Sequence, residues 1–248
     1  MIRRACWPIP LVPILAAVFA VAVLVPACAW AAGASEDDPG KASRLMAMAD
    51  FNRDGIADIA EADPSGVLTV SLGQADGTLR RMGSWPILGR EPRAIVAGDF
   101  NHDSNTDLIV GDDDGSLKLF LGDGTGNLAA VGDVARLESV VSIAVGDFNH
   151  DGVPDMAVSD WRASSVTVLM GSGNGSFQRG WSFPLRMPGT VAQLAAADFN
   201  GDGIVDLAVT YGDDSGYTFE VMLGNGNGTF TFAPKLSFVK DPNSHCAT

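Results

Sequence analysis

The nine residues Asp50-Phe51-Asn52-Arg53-Asp54-Gly55-Ile56-Ala57-Asp58 read D-F-N-x-D-G-x-x-D, and the chain writes this stretch four times. The copies begin at Asp50, Asp99, Asp147 and Asp198, a spacing of 48 to 51 residues. A short acidic loop returning at that period restricts the chain to a repeat architecture. Each unit is then one supersecondary element that cannot bury its faces without neighbours.

The residues around each loop follow one grammar. An alternating apolar run enters it over 44–49, 93–98, 141–146 and 192–197, and a second run leaves it at Asp58-Ile59-Ala60, 107–110, 155–158 and 206–209. After a variable loop comes a third run of period 2 over 67–72, 117–121, 166–170 and 219–223. A glycine turn follows, clearest at Gly171-Ser172-Gly173-Asn174-Gly175 and Gly224-Asn225-Gly226-Asn227-Gly228, where glycine permits positive φ and a tight hairpin reversal. A fourth strand starts at Leu79, Leu128, Phe177 and Phe230. Four short β-branched and apolar strands per unit, with no sustained 3.6-residue period, predict an all-β fold: a β-propeller, or part of one, of four four-stranded blades. The units run over about 44–92, 93–140, 141–191 and 192–240.

In residues 241–248, Pro242 precedes Asn243 to Thr248 with the spacing that Pro92 has before Arg93 to Gly98. This tail reads either as a closing strand or as the start of a fifth unit. In the second case open blade edges would invite self-association.

The loop chemistry points to a hard cation. Counted from the first Asp, positions 1, 3, 5 and 9 supply Asp50, Asn52, Asp54 and Asp58; Asp99, Asn101, Asp103 and Asp107; Asp147, Asn149, Asp151 and Asp155; and Asp198, Asn200, Asp202 and Asp206. The backbone carbonyl of position 7 (Ile56, Asn105, Val153 or Ile204) would be a fifth oxygen, and glycine at position 6 permits the sharp turn. All-oxygen ligation with three carboxylates suits Ca²⁺, and no Cys or His stands at a ligand position, which disfavours zinc and copper. Ser104 replaces glycine in the second copy and marks the weakest site. His102 and His150 occupy the outward-facing fourth position and read as solvated. The competing explanation is that D-G and N-x-D only form turns. A helical EF-hand loop is excluded, because position 12 is Glu61 in the first copy but Val110, Val158 and Val209 in the others.

The N-terminus reads as a signal peptide over residues 1–31. Arg3 and Arg4 precede an apolar stretch from Ile14 to Val25, and Ala29-Trp30-Ala31 is a small-x-small cleavage site. Val25-Pro26-Ala27-Cys28 also resembles a lipoprotein box, so membrane attachment is expected only if Cys28 is lipidated. A linker follows over 32–43. Removing the leader lowers Lys+Arg from 16 to 14 against 30 Asp+Glu, so the net charge goes from −14 to −16. That surface excludes nucleic acid as a partner. Only Cys246 remains after cleavage, so no internal disulfide can form. The localisation expected is secreted, periplasmic or cell-surface.

The loop motif, followed by Leu-Ala-Val and then by Ser165-Val166-Thr167-Val168-Leu169-Met170-Gly171-Ser172-Gly173-Asn174-Gly175-Ser176-Phe177, resembles the bacterial FG-GAP/VCBS repeat. That repeat is related to the N-terminal propeller of integrin α chains. The resemblance covers about residues 44–240 and implies a calcium-bearing propeller used in cell adhesion or ligand recognition; it names no ligand.

The loops between second and third strands differ most among the units, and they bring Trp161, Arg162, Tyr211 and Tyr217 to or near one rim. These residue types are enriched where proteins bind partners, so the four are candidate contacts to a protein or carbohydrate ligand. Covering blade edges is the other explanation for these aromatics. No Ser/His/Asp or Cys/His set can be assembled, so no catalytic residue and no enzymatic activity is expected. The alternatives are a carbohydrate-active enzyme on a calcium-stabilised propeller, or a structural fragment of a larger surface array.

Overall fold

A computed structural model describes residues 45–87, 89, 91–185, 191–213 and 216–233. The expected leader over 1–31 with Cys28, the linker over 32–43 and the tail over 241–248 lie outside the described residues. Among the described residues there is no helix.

Sixteen strands form four antiparallel sheets, each a meander of four in chain order. Blade 1 holds β1 (Leu45–Ala49), β2 (Asp58–Ala62), β3 (Val67–Gly73) and β4 (Leu79–Pro86). Blade 2 holds β5 (Pro92–Gly98), β6 (Asp107–Asp112), β7 (Ser116–Gly122) and β8 (Leu128–Arg136). Blade 3 holds β9 (Val140–Gly146), β10 (Asp155–Asp160), β11 (Ser165–Gly171) and β12 (Phe177–Pro184). Blade 4 holds β13 (Val191–Ala197), β14 (Asp206–Asp213), β15 (Gly216–Gly224) and β16 (Phe230–Phe232).

The second strands run further than their composition suggests. They were expected to stop at Ala60, Val110, Val158 and Val209 but continue to Ala62, Asp112, Asp160 and Asp213. Asp112 and Asp160 end their strands by accepting turn N–H groups: Asp112 from Ser116 at 2.9 Å, and Asp160 from Ala163 at 2.9 Å. A residue that looks like a loop former therefore finishes a strand.

Blades stack through their faces. β1, β5, β9 and β13 pack against one another in that order, and among the described residues β13 does not pack comparably on β1, so the array is an open, partial propeller. The burial of the second strands follows the stacking. In blades 2 and 3 every residue of β6 and β10 is buried, because apolar side chains on both faces meet a neighbouring blade. In blade 1, β2 alternates between buried and half-buried, which is the pattern of a sheet covered on one side. Three apolar clusters fill the three junctions, for example Leu68, Val70 and Leu72 of blade 1 against Leu108, Val110 and Phe120 of blade 2.

Each junction is also latched at the acidic loop. Gly126 donates its N–H to the carbonyl of Phe51 (3.0 Å), Gly175 to Phe100 (2.9 Å) and Gly228 to Phe148 (2.8 Å), always from the glycine turn of the following blade. Glycine is required there twice over. Its φ is +92° at Gly126, +80° at Gly175 and +77° at Gly228, and a Cβ on Gly126 or Gly228 would come within 2.9 Å of Leu72 or Met170. The Phe rings of the loops insert beside these turns, edge-on to Phe177 (5.9 Å from Phe100) and Phe230 (5.3 Å from Phe148).

Candidate functional site

All four acidic loops fold alike. Position 4 has positive φ at Arg53 (62°), His102 (62°), His150 (65°) and Gly201 (79°), and position 6 at Gly55 (81°), Ser104 (67°), Gly152 (83°) and Gly203 (86°). Ser104 thus carries the left-handed backbone expected to disfavour the second copy. His102 and His150 are exposed.

The side chains at positions 1, 3 and 5 gather around the loop backbone. In the third copy Asp151 donates its N–H to Asp147 (3.1 Å) and to Asn149 (3.0 Å), Gly152 donates to the other Asp147 oxygen (2.9 Å), and Val153 donates to Asp151 (2.8 Å). Asn149 Nδ2 donates to the second Asp151 oxygen at 2.8 Å. The same net is drawn by Asp50, Asn52 and Asp54 with Gly55 and Ile56, by Asp99, Asn101 and Asp103 with Ser104 and Asn105, and by Asp198, Asn200 and Asp202 with Gly203 and Ile204. The Gly203 N–H is the main reason that Asp198 sits below the ordinary carboxylate range.

Position 9 does something further. Asp58, Asp107, Asp155 and Asp206 are fully buried, and each carboxylate bridges two backbone N–H groups. One belongs to the Phe at position 2 and the other to the glycine that ends the third strand. Asp155, for example, accepts from Phe148 (3.0 Å) and Gly171 (2.8 Å). The others repeat it with Phe51 and Gly73, Phe100 and Gly122, and Phe199 and Gly224. Burial pushes Asp155 up to about 6, the two N–H groups oppose this, and the nearby charges of Asp151 and Asp147 add to the rise. Asp107 is raised by burial in the same way.

Calcium is the ion that the loop pattern implies, and the donor chemistry tests it. Positions 1, 3, 5 and 9 present oxygen throughout, with three carboxylates per loop, which fits Ca²⁺ in kind. Positions 1, 3 and 5 are already drawn together, and each oxygen of the position 9 carboxylate keeps a lone pair beyond its N–H bond. Among the described residues no three carboxylate, imidazole or thiol groups converge as a finished cage. The loop oxygens face backbone N–H groups instead, and the amide at position 3 donates to the carboxylate at position 5.

The recognition candidates fall in or beside the turns between second and third strands of blades 3 and 4. Trp161 and Arg162 sit in the β10–β11 turn, on the rim away from the acidic loops; Trp161 is 45 % exposed, and Arg162 Nη1 donates to the Glu138 carbonyl at 3.2 Å. Tyr211 reads in the sequence as opening a loop with Tyr217 just beyond it, but both lie within the strands β14 and β15, paired with Thr218 and Gly212. The β14–β15 ladder continues past them to Asp213 and Gly216, so the sequence read a strand end as a loop.

One cluster escaped the sequence reading. Lys118 and Asp112 form a buried ion pair (2.6 Å) within blade 2, on its face towards blade 1, with Asp133 3.7 Å from Lys118 and Arg136 3.2 Å from Asp114. Beside it lies a cavity of 380 Å³ lined by Trp85, Ser116 and Lys118 among others. Burial pushes Asp112 up. The available signal was Lys118 itself, a cation within an otherwise apolar run.

The FG-GAP-like repeat model matches the chain four times, over residues 50–110, 99–158, 156–209 and 198–248. Four-stranded blades, an acidic loop in each and this match together define a propeller-type repeat protein. The chain belongs to the FG-GAP-like repeat family. No curated relative matches it.

Proposed function

We propose that this chain is a calcium-stabilised ligand-recognition module that works outside the cytoplasm, in adhesion to a protein or carbohydrate. The observation that carries the calcium part is the fourfold repetition of one oxygen-lined loop with one backbone conformation. Asp147, Asn149, Asp151 and Asp155, with the Val153 carbonyl, would hold the ion in the third loop, and the equivalent residues in the other three. The ion would supply charge neutralisation where like charges are packed, and would stabilise the fold by mass action. Family membership supports the recognition part, because such repeats are compatible with binding surfaces displayed on a rigid array. The exposed Trp161 beside Arg162 is the favoured contact. The module binds without turning its ligand over; in the cleft beside Lys118, both Asp114 and Asp133 are engaged by cations.

Two measurements test this. Melting with calcium and with chelator should separate the midpoints, and Asp147→Asn should shrink the separation; coincident midpoints reject the calcium role. A glycan array and a protein pull-down, each repeated with Trp161→Ala, should lose one signal. Retention of every signal removes Trp161 from the binding surface.

A further inference from the structure

Of seven large apolar side chains exposed among the described residues, four stand where their counterparts at the interior junctions are buried or half-buried. On the outer face of blade 1 they are Met46 (62 % exposed), Met48 (48 %) and Leu79 (54 %); on the outer face of blade 4 the residue is Phe199 (48 %). Phe199 is the position 2 aromatic, whose equivalents Phe51, Phe100 and Phe148 are each 1 % exposed. Leu79 opens the fourth strand, where Leu128 and Phe230 are 7 % and 5 % exposed.

The two faces are the two halves of the junction that the molecule already builds three times. Blade 4 offers the receiving half: Phe199 in its loop, and Phe219, Val221 and Leu223 at the positions of Leu68, Val70 and Leu72. Among the described residues no glycine turn lies over Phe199. Blade 1 offers the inserting half: Gly77 with φ +81°, as in the latching glycines, then Leu79, with Met46 and Met48 on the inner strand. Nothing lies within 4 Å of where a Cβ on Gly77 would stand, so the turn is open to contact.

We infer that a second copy of this chain docks head to tail, its blade 1 occupying the place of a fifth blade on blade 4 of the first. The same patch does not meet itself, so the contact is heterologous and ends either in a closed ring or in a longer string. Two copies would bring eight blades, within the range of closed propellers. Glu61 and Ser71 replace the Val110 and Phe120 found at equivalent positions of blade 2, which makes this junction weaker than the interior ones and its formation dependent on concentration.

The test is sedimentation velocity of the full chain over a wide concentration range. Association is expected to grow with concentration, and Leu79→Asp and Phe199→Asp should each leave a monomer. An equimolar mixture of the two variants retains one intact face of each kind, so it should form pairs and nothing larger. Should Leu79→Asp misfold, Met46→Asp on the same face takes its place. A monomer at every concentration overturns the inference, as does association that survives both substitutions, or loss in both without recovery in the mixture.

Discussion

Two residues in each acidic loop carry separable loads, and substitutions can tell them apart. Asp155 is buried with both oxygens on backbone N–H groups, so Asp155→Asn removes one acceptor and turns an amide donor towards a donor. The expected loss is about 1–3 kcal/mol in chelator, read by urea unfolding. Asp147→Asn, at a half-buried site, should cost less than Asp155→Asn under those conditions, because its partners lie at the surface. Ser104 makes the opposite case. Its φ of +67° is one that a side chain resists, and nothing lies within 4 Å of a Cβ at Gly55 or Gly152, so packing does not enter. Ser104→Gly should therefore raise stability by about 0.5–1 kcal/mol, and Gly152→Ser should lower it by a similar amount. The strain at Ser104 was legible in the sequence, because three sister loops show glycine at that position. The double N–H bridge at position 9 was not, since spacing alone cannot distinguish a carboxylate aimed at an ion from one aimed at the backbone.

At the level of strands and turns, the aromatic at position 2 is the part that joins neighbours. Phe148 is buried against Phe230, so Phe148→Ala should cost about 3–5 kcal/mol. Phe199→Ala, in the same motif but with no following blade among the described residues, should cost less than about 1 kcal/mol when measured at dilution. Equal costs would show that the ring serves its own loop and not the junction. The starts of the fourth strands at Leu79, Leu128, Phe177 and Phe230 were readable because a glycine turn pins each one. The ends of the second strands were not, because Asp112 and Asp160 use turn-forming side chains to terminate a ladder from within it. Phe51, Phe100 and Phe148 went unassigned for a related reason: their partners are contributed by the fourth strand of the next unit, some 80 residues away.

For the molecule as a whole, the balance of charge gives a further test. With 30 Asp+Glu against 16 Lys+Arg, and three carboxylates crowded in each loop, self-repulsion opposes folding when no ion is present. Raising sodium chloride from about 0.01 to 0.15 M shortens the screening length from roughly 30 to 8 Å. In chelator this should lift the melting midpoint by about 2–4 °C. In excess calcium the lift should shrink; an equal lift in both would mean that the loops do not take up the ion. The four blades were visible in the sequence as a period. A partial ring was one of the two readings the sequence allowed, and it could not choose between them, because closure depends on how far each junction rotates and no local pattern encodes that angle.

The latch between blades has a consequence for how such a chain can change in length. Every junction uses the same glycine N–H, the same aromatic and the same carbonyl, spaced one unit apart. Excising Asp99 to Gly146 would join Gly98 to Asp147 and present the Gly175 turn to Phe51 in place of Gly126. The shortened chain would inherit a working seam without any compensating substitution. Whole units can be lost or gained in register, whereas a cut inside a unit would leave two mismatched halves.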